Sequence, residues 1–137
     1  MRFVLDTNSV SFLMKGVPSV IGELRSRSRA DVFLPQPVIS EIEYGLARLA
    51  KSKKLDRLRQ RFGVIERELQ RVPWTDQVSR AFGEIKADLE RRGLRLEDFD
   101  VAVAAHALAN DATLVTDNLE LMSRVAGLRT ENWLGDA

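Results

Sequence analysis

The chain has 137 residues, 45% hydrophobic and 30% charged, with a net charge of +1 at pH 7; these proportions suit a single ordinary globular domain over 1–137 and exclude a disordered or fibrous chain. It has no cysteine and a single histidine, which excludes a disulfide scaffold, thiolate metal sites and a multi-histidine zinc site. No stretch approaches the roughly 18 apolar residues of a membrane span, and an acid at position 6 cuts short the apolar start, so a soluble, cytoplasmic chain without a signal peptide is expected.

Phe3-Val4-Leu5 predicts a short buried strand, followed at once by Asp6. Asn8 can cap a helix running to about Lys15, and Pro18 opens a second, to about Arg27. Val32-Phe33-Leu34 is the next buried strand. Pro37 opens a third helix, in which Val38, Ile42, Leu46 and Leu49 recur at helical intervals. A charged fourth helix extends from about Lys53 to Leu69. Val72-Pro73-Trp74 is a weaker strand, assigned to a sheet edge because proline cannot donate to the ladder. Thr75 or Asp76 caps a fifth helix that Gly93 ends. Asp100 opens a sixth, to Asn110, rich in alanine and valine. Thr113-Leu114-Val115 is a third buried strand, Leu119 to Val125 a short helix, and Leu128-Arg129-Thr130 a second edge strand. Such alternation implies an α/β fold with a parallel sheet covered on both faces by helices. Sheets of this kind bind ligands beyond the carboxyl ends of their strands.

That rule selects Asp6 and Asp117, each just past a central strand. Capping is the usual reason for an acid there, but Asn8 and Asn118 are available as caps and would release both aspartates. Glu41 lies on the helix stripe that contains Val38, Gly45 and Leu49, so it is expected to face inward; Glu43, about 200° further round, faces solvent. Gly45 weakens a helix interior by roughly 1 kcal/mol against alanine. Its presence beside Glu41 leaves space for an ion, a substrate or another backbone. Asp100 follows Glu97 and Asp98, and three acids within four residues exceed what capping requires. Clustered carboxylates resist ionising together, and a hard divalent cation relieves the repulsion. With neither thiolates nor several histidines available, Mg2+ or Mn2+ on oxygen ligands remains, a chemistry suited to phosphodiester hydrolysis. His106, Trp74 and Trp133 read as packing residues.

Charge is unevenly distributed. Nine basic residues against three acidic ones lie between Arg48 and Arg71, an excess of six positive charges, so the remainder of the chain is acidic. This stripe either steers a polyanion or forms a solvated helix face.

Val4-Leu5-Asp6-Thr7-Asn8 resembles the opening motif of PIN-domain nucleases, and Ser40-Glu41-Ile42-Glu43-Tyr44-Gly45 is similar to their helix motif. Phe99-Asp100-Val101-Ala102-Val103-Ala104-Ala105-His106-Ala107 and Val115-Thr116-Asp117-Asn118 resemble their third and fourth. The four fall in family order over essentially the whole chain. The resemblance, closest to VapC toxins of VapBC toxin–antitoxin pairs, implies a sheet ordered 3-2-1-4-5. It implies Mg2+ or Mn2+ held by Asp6, Glu41, Asp100 and Asp117, with the Thr116 hydroxyl in support, and metal-dependent RNA cleavage. It also implies a homodimer, a VapB antitoxin and a projecting hairpin over the basic stretch. Gly127 to Trp133 resembles the tail of relatives that cut the anticodon stem-loop of initiator tRNA. The alternative is a phospho-acceptor receiver-like domain that binds Mg2+ without nuclease activity. A receiver needs an acid pair after its first strand and a lysine after its last. Here Thr7-Asn8 follows Asp6 and no lysine follows Asp117.

Overall fold

A computed structural model describes residues 1–135; the last two residues of the expected domain lie outside it. Strand β1 (Phe3–Leu5) is buried at every position and occupies the middle of the sheet. It pairs in parallel with β2 (Val32–Pro35) on one side and β4 (Thr113–Val115) on the other. Strand β3 (Gln70–Val72) extends the sheet beyond β2, and β5 (Thr130–Glu131) beyond β4. The order is 3-2-1-4-5 and every pairing is parallel, as the resemblance implied.

Both edge strands are displaced from their expected positions. β3 ends at Val72, before Pro73, because a residue without an N–H cannot prolong the ladder. β5 begins at Thr130, two residues later than expected, although the Arg129 carbonyl already accepts from the Leu114 N–H at 2.8 Å.

The helices are α1 (Thr7–Met14), α2 (Pro18–Arg25), α3 (Gln36–Ala47), α4 (Lys53–Glu68), α5 (Asp76–Arg91), α6 (Asp98–Ala109) and α7 (Leu119–Met122). Thr75 caps α5, and Gly93, at φ +68°, follows its end in the left-handed region that glycine tolerates. α7 is shorter than expected, ending at Met122. α6 begins two residues earlier than expected, with Glu97 at the cap position and no side-chain capping bond.

Two apolar clusters hold these layers together. One joins the sheet to α1, α2, α3 and α4; the other lies between α5 and α6. α6 belongs to both, giving Val103 and Ala107 to the first and Val101, Ala104 and Ala105 to the second. Burial on all sides explains its small apolar residues and lack of a polar stripe. Each fully buried valine or leucine in these clusters contributes about 1.5–3 kcal/mol. Among the described residues no helix is long and apolar enough to cross a membrane.

Candidate active site

The chain order reverses beside β1: β2 and β3 build outward on one side, β4 and β5 on the other. A crevice opens at such a point, past the carboxyl ends of the strands. Asp6 leaves β1 there, its N–H donating to the Val115 carbonyl of β4 at 3.1 Å. Thr116 and Asp117 leave β4 beside it. α3, which follows β2, supplies Glu41, and the first turn of α6 supplies Asp100. Asp6, Glu41, Asp100 and Thr116 line one cavity of about 200 Å3, together with Thr7 and Asn8. Asp117, the fourth expected acid, is not among the lining residues; its Oδ1 accepts from Asn8 Nδ2 at 3.2 Å, and its charge acts on Asp6. Four elements distant in sequence thus meet at one opening.

Capping is divided differently from the expectation. Asn8 caps nothing; Asp6 is the N-cap of α1, its Oδ1 accepting from the Ser9 N–H at 2.8 Å. Asp6 therefore serves the helix with one oxygen while its side chain also lines the cavity. Asn118 does cap α7, accepting from the Leu121 N–H at 3.3 Å. Asp100 lies inside the first turn of α6 rather than at its cap.

Burial raises the Asp6 carboxyl above its ordinary pKa, against the opposing bonds from Ser9 N–H and Thr116; the charge of Asp117 adds to the rise. Burial also raises Asp100, reinforced by the negative charges of Glu41, Asp6 and Glu97. Thr116 is fully buried, and its Oγ1 also accepts from the Asn118 N–H at 3.0 Å, which fixes the hydroxyl beside Asp6. The stripe through Glu41 runs from Val38, in the core, to Leu49, which lies past the end of α3 and is 44% exposed, with Glu41 half-buried between them. Thr7 Oγ1 donates to Glu41 Oε1 at 2.6 Å. Space beside Gly45 is open: a Cβ there would meet nothing within 4 Å, so no backbone approaches it.

Among the described residues no three acidic or histidine side chains converge closely enough to grip one ion as they stand. The donor set nevertheless fits a hard cation. It offers carboxylate, hydroxyl and amide groups with no thiolate or imidazole, and two of its carboxyls are driven towards the neutral form by burial and neighbouring negative charge. A larger hollow of about 600 Å3 lies between the end of α5 and the start of α6. Its charges are mixed, and Lys86 already pairs with Asp98 at 3.0 Å, whereas no basic side chain lines the smaller cavity.

His106 is fully buried away from this cavity, with Nδ1 at 2.7 Å from the Ala102 carbonyl and its ring edge-on to Trp74. Thr7 and Asn8, which bond Glu41 and Asp117, were not among the site residues expected from the sequence, where Asn8 reads only as a cap. Their signal was two hydrogen-bonding side chains directly after the first acid.

The PIN domain family matches residues 3–128. Ribonuclease VapC2 of Haemophilus influenzae is 32% identical over 137 residues, covering 98% of this chain and 99% of its own. The tRNA(fMet)-specific endonuclease VapC of Shigella flexneri is 32% identical over 136 residues, covering 97% and 98%. The chain belongs to the VapC-type PIN-domain proteins. Its fold agrees with theirs. The crystal structure of VapBC2 from Rickettsia felis, bound to a DNA fragment from its promoter, superposes with a TM-score of 0.87 at 27% identity, covering 97% of this chain and 99% of that one. Membership of this PIN-domain family leaves the receiver-like alternative without support.

Proposed function

We propose that this chain is the ribonuclease toxin of a VapBC-type pair, an endonuclease that hydrolyses RNA phosphodiester bonds with Mg2+ or Mn2+. The observation that carries the reading is the cavity shared by Asp6, Glu41 and Asp100, beyond the strand ends, where no cation stands among the lining residues. The names of the relatives, ribonuclease and tRNA(fMet)-specific endonuclease, support the reaction class and make initiator tRNA the first substrate to test. Likeness to the VapBC2 complex supports a VapB-type antitoxin as partner. The family's homodimer is part of the same reading.

Asp6, Glu41 and Asp100 would hold the ion, with the charge of Asp117 acting beside Asp6. When bound, the ion supplies an activated water and neutralises charge on the phosphoryl oxygens. Thr116 orients Asp6 through its buried hydroxyl, and Thr7 fixes the rotamer of Glu41. Asn8, a lining residue, ties Asp117 to the site by a hydrogen bond. The ionised carboxylates weaken the hold on a phosphate in the cavity unless a cation offsets them, so metal binding and substrate affinity are linked.

The test uses the chain purified free of antitoxin, incubated with initiator tRNA and with total cellular RNA plus Mg2+ or Mn2+. Discrete cleavage is expected, abolished by EDTA and by Asp6→Ala or Asp100→Asn in variants that still fold. Thr7→Val is expected to lower the rate roughly 10- to 100-fold, the usual loss for a group that orients a ligand. Cleavage that survives EDTA or either aspartate substitution overturns the mechanism.

A further inference from the structure

A second groove, of about 480 Å3, runs on from the acidic cavity and shares Thr7, Asn8 and Glu41 with it. Its outer wall is α3. Glu41, Tyr44 and Arg48 stand at i, i+3 and i+7, so an acid, an aromatic ring and a cation line one face in order away from the cavity. Tyr44 is 67% exposed. The Arg48 guanidinium lies 5.5 Å from its ring centroid, within cation–π range, and covers one side of the ring. Facing it across the groove are Lys15, at the end of α1, and Lys54, at the start of α4. Among the described residues none of Lys15, Arg48 and Lys54 is within ion-pair distance of a carboxylate.

A lone exposed tyrosine needs no explanation. This one is flanked by three cations that pair with no carboxylate among the described residues, and it stands one helical turn from the acid cavity. Residues at i and i+3 have Cβ atoms about 5–6 Å apart, a short enough step for one nucleotide to bridge. Gly45, with open space where a side chain would lie, leaves the path between them clear. We infer that Tyr44 is a stacking platform for an unpaired base flanking the scissile phosphate, with Arg48, Lys15 and Lys54 holding the backbone on either side. The occupant is thus a single-stranded RNA segment, since an anionic backbone meets the cations and a planar base meets the ring. Every base has a π face, so the subsite sets register rather than sequence preference. The inference rests on the ribonuclease reading and names how that same site receives its substrate.

Two measurements on the full chain test it. The first is kcat and KM with Mn2+ on a synthetic initiator-tRNA anticodon stem-loop and on 12-nucleotide homopolymers of A, C, G and U. The second is the quenching of a 2-aminopurine-containing 12-mer titrated in EDTA, where the probe stays intact. Tyr44→Leu keeps apolar bulk but has no π face; Tyr44→Phe keeps the face. Tyr44→Leu is expected to weaken probe binding and raise KM about 5- to 150-fold, with kcat within about twofold and less quenching at saturation. Tyr44→Phe should behave as the parent does. Equal binding, KM and quenching in Tyr44→Leu and the parent would overturn the inference while leaving the nuclease reading intact. It would also do so if the substitution weakened only antitoxin binding, because the groove would then belong to a protein partner. Loss in Tyr44→Phe as large as in Tyr44→Leu overturns stacking in favour of the hydroxyl. A parent chain that neither binds nor cuts any of these RNAs removes the ribonuclease reading itself.

Discussion

Asp100 shows most directly how a single side chain exchanges stability for chemistry. Burial raises its carboxyl above the ordinary pKa, and the charges of Glu41, Asp6 and Glu97 add to this. A carboxyl that binds its proton more tightly when folded contributes full stability below its unfolded pKa, and the contribution is lost as pH rises through the raised folded value. At neutral pH the ionised group therefore opposes folding. Asp100→Asn is expected to raise the melting temperature of metal-free protein at pH 7, with the gain shrinking as pH falls towards about 4, where an ordinary carboxylate takes up its proton. Thermal melts in EDTA across that range measure it. A gain independent of pH would assign the effect to repacking. Metal should relieve the same repulsion in the parent, stabilising it by about 2.7 kcal/mol at a hundredfold excess over Kd, and have little effect on the variant. The acid itself was legible in the sequence because three acids within four residues exceed what a helix start requires. The division of labour at Asp6 was not. Whether Asp6 or Asn8 caps α1 depends on which backbone N–H groups the strand's exit angle presents, and residue type does not encode that angle.

Among the elements, α3 and α6 position the site, and the sequence exposed them unequally. α3 was readable from Val38, Ile42 and Leu46, all buried, which recur at helical intervals. α6 has no such stripe, because it packs into both apolar clusters at once. Its start was therefore read from the acids alone and set two residues late. Gly45 separates what an element needs for stability from what its site needs for access. A Cβ at this position meets nothing within 4 Å, so Gly45→Ala should not strain the fold and should stabilise it by up to about 1 kcal/mol through helix propensity. Urea unfolding would read that as a higher midpoint at unchanged slope. If RNA passes over this position, the same variant loses part of its kcat/KM despite being more stable. A variant that is both more stable and fully active would show that the opening beside Glu41 goes unused.

At the scale of the whole molecule the governing feature is charge separation. The stretch from Arg48 to Arg71 has an excess of six positive charges, which leaves the rest of the chain with five net negative ones. Of its nine basic side chains, only Arg71 is within ion-pair distance of a carboxylate among the described residues, bound to Glu66 at 2.7 Å. A merely solvated helix face would be expected to satisfy more of them locally through i,i+4 pairs. Unpaired cations on α4, next to a groove that opens on the acid cavity, instead suit a polyanion that must be drawn towards a centre of its own sign. Neutralising phosphates releases counterions, so log K should fall linearly with log salt, with a slope of about −0.7 per phosphate contacted on single strands. Arg57→Gln combined with Arg59→Gln alters two exposed cations outside the acid cavity. If both meet phosphates, the slope for RNA binding should become shallower by about 1.4, with kcat unchanged at low salt. An unchanged slope, with weaker binding only to the antitoxin, would place the hairpin on the protein partner and leave RNA to be held by the groove alone.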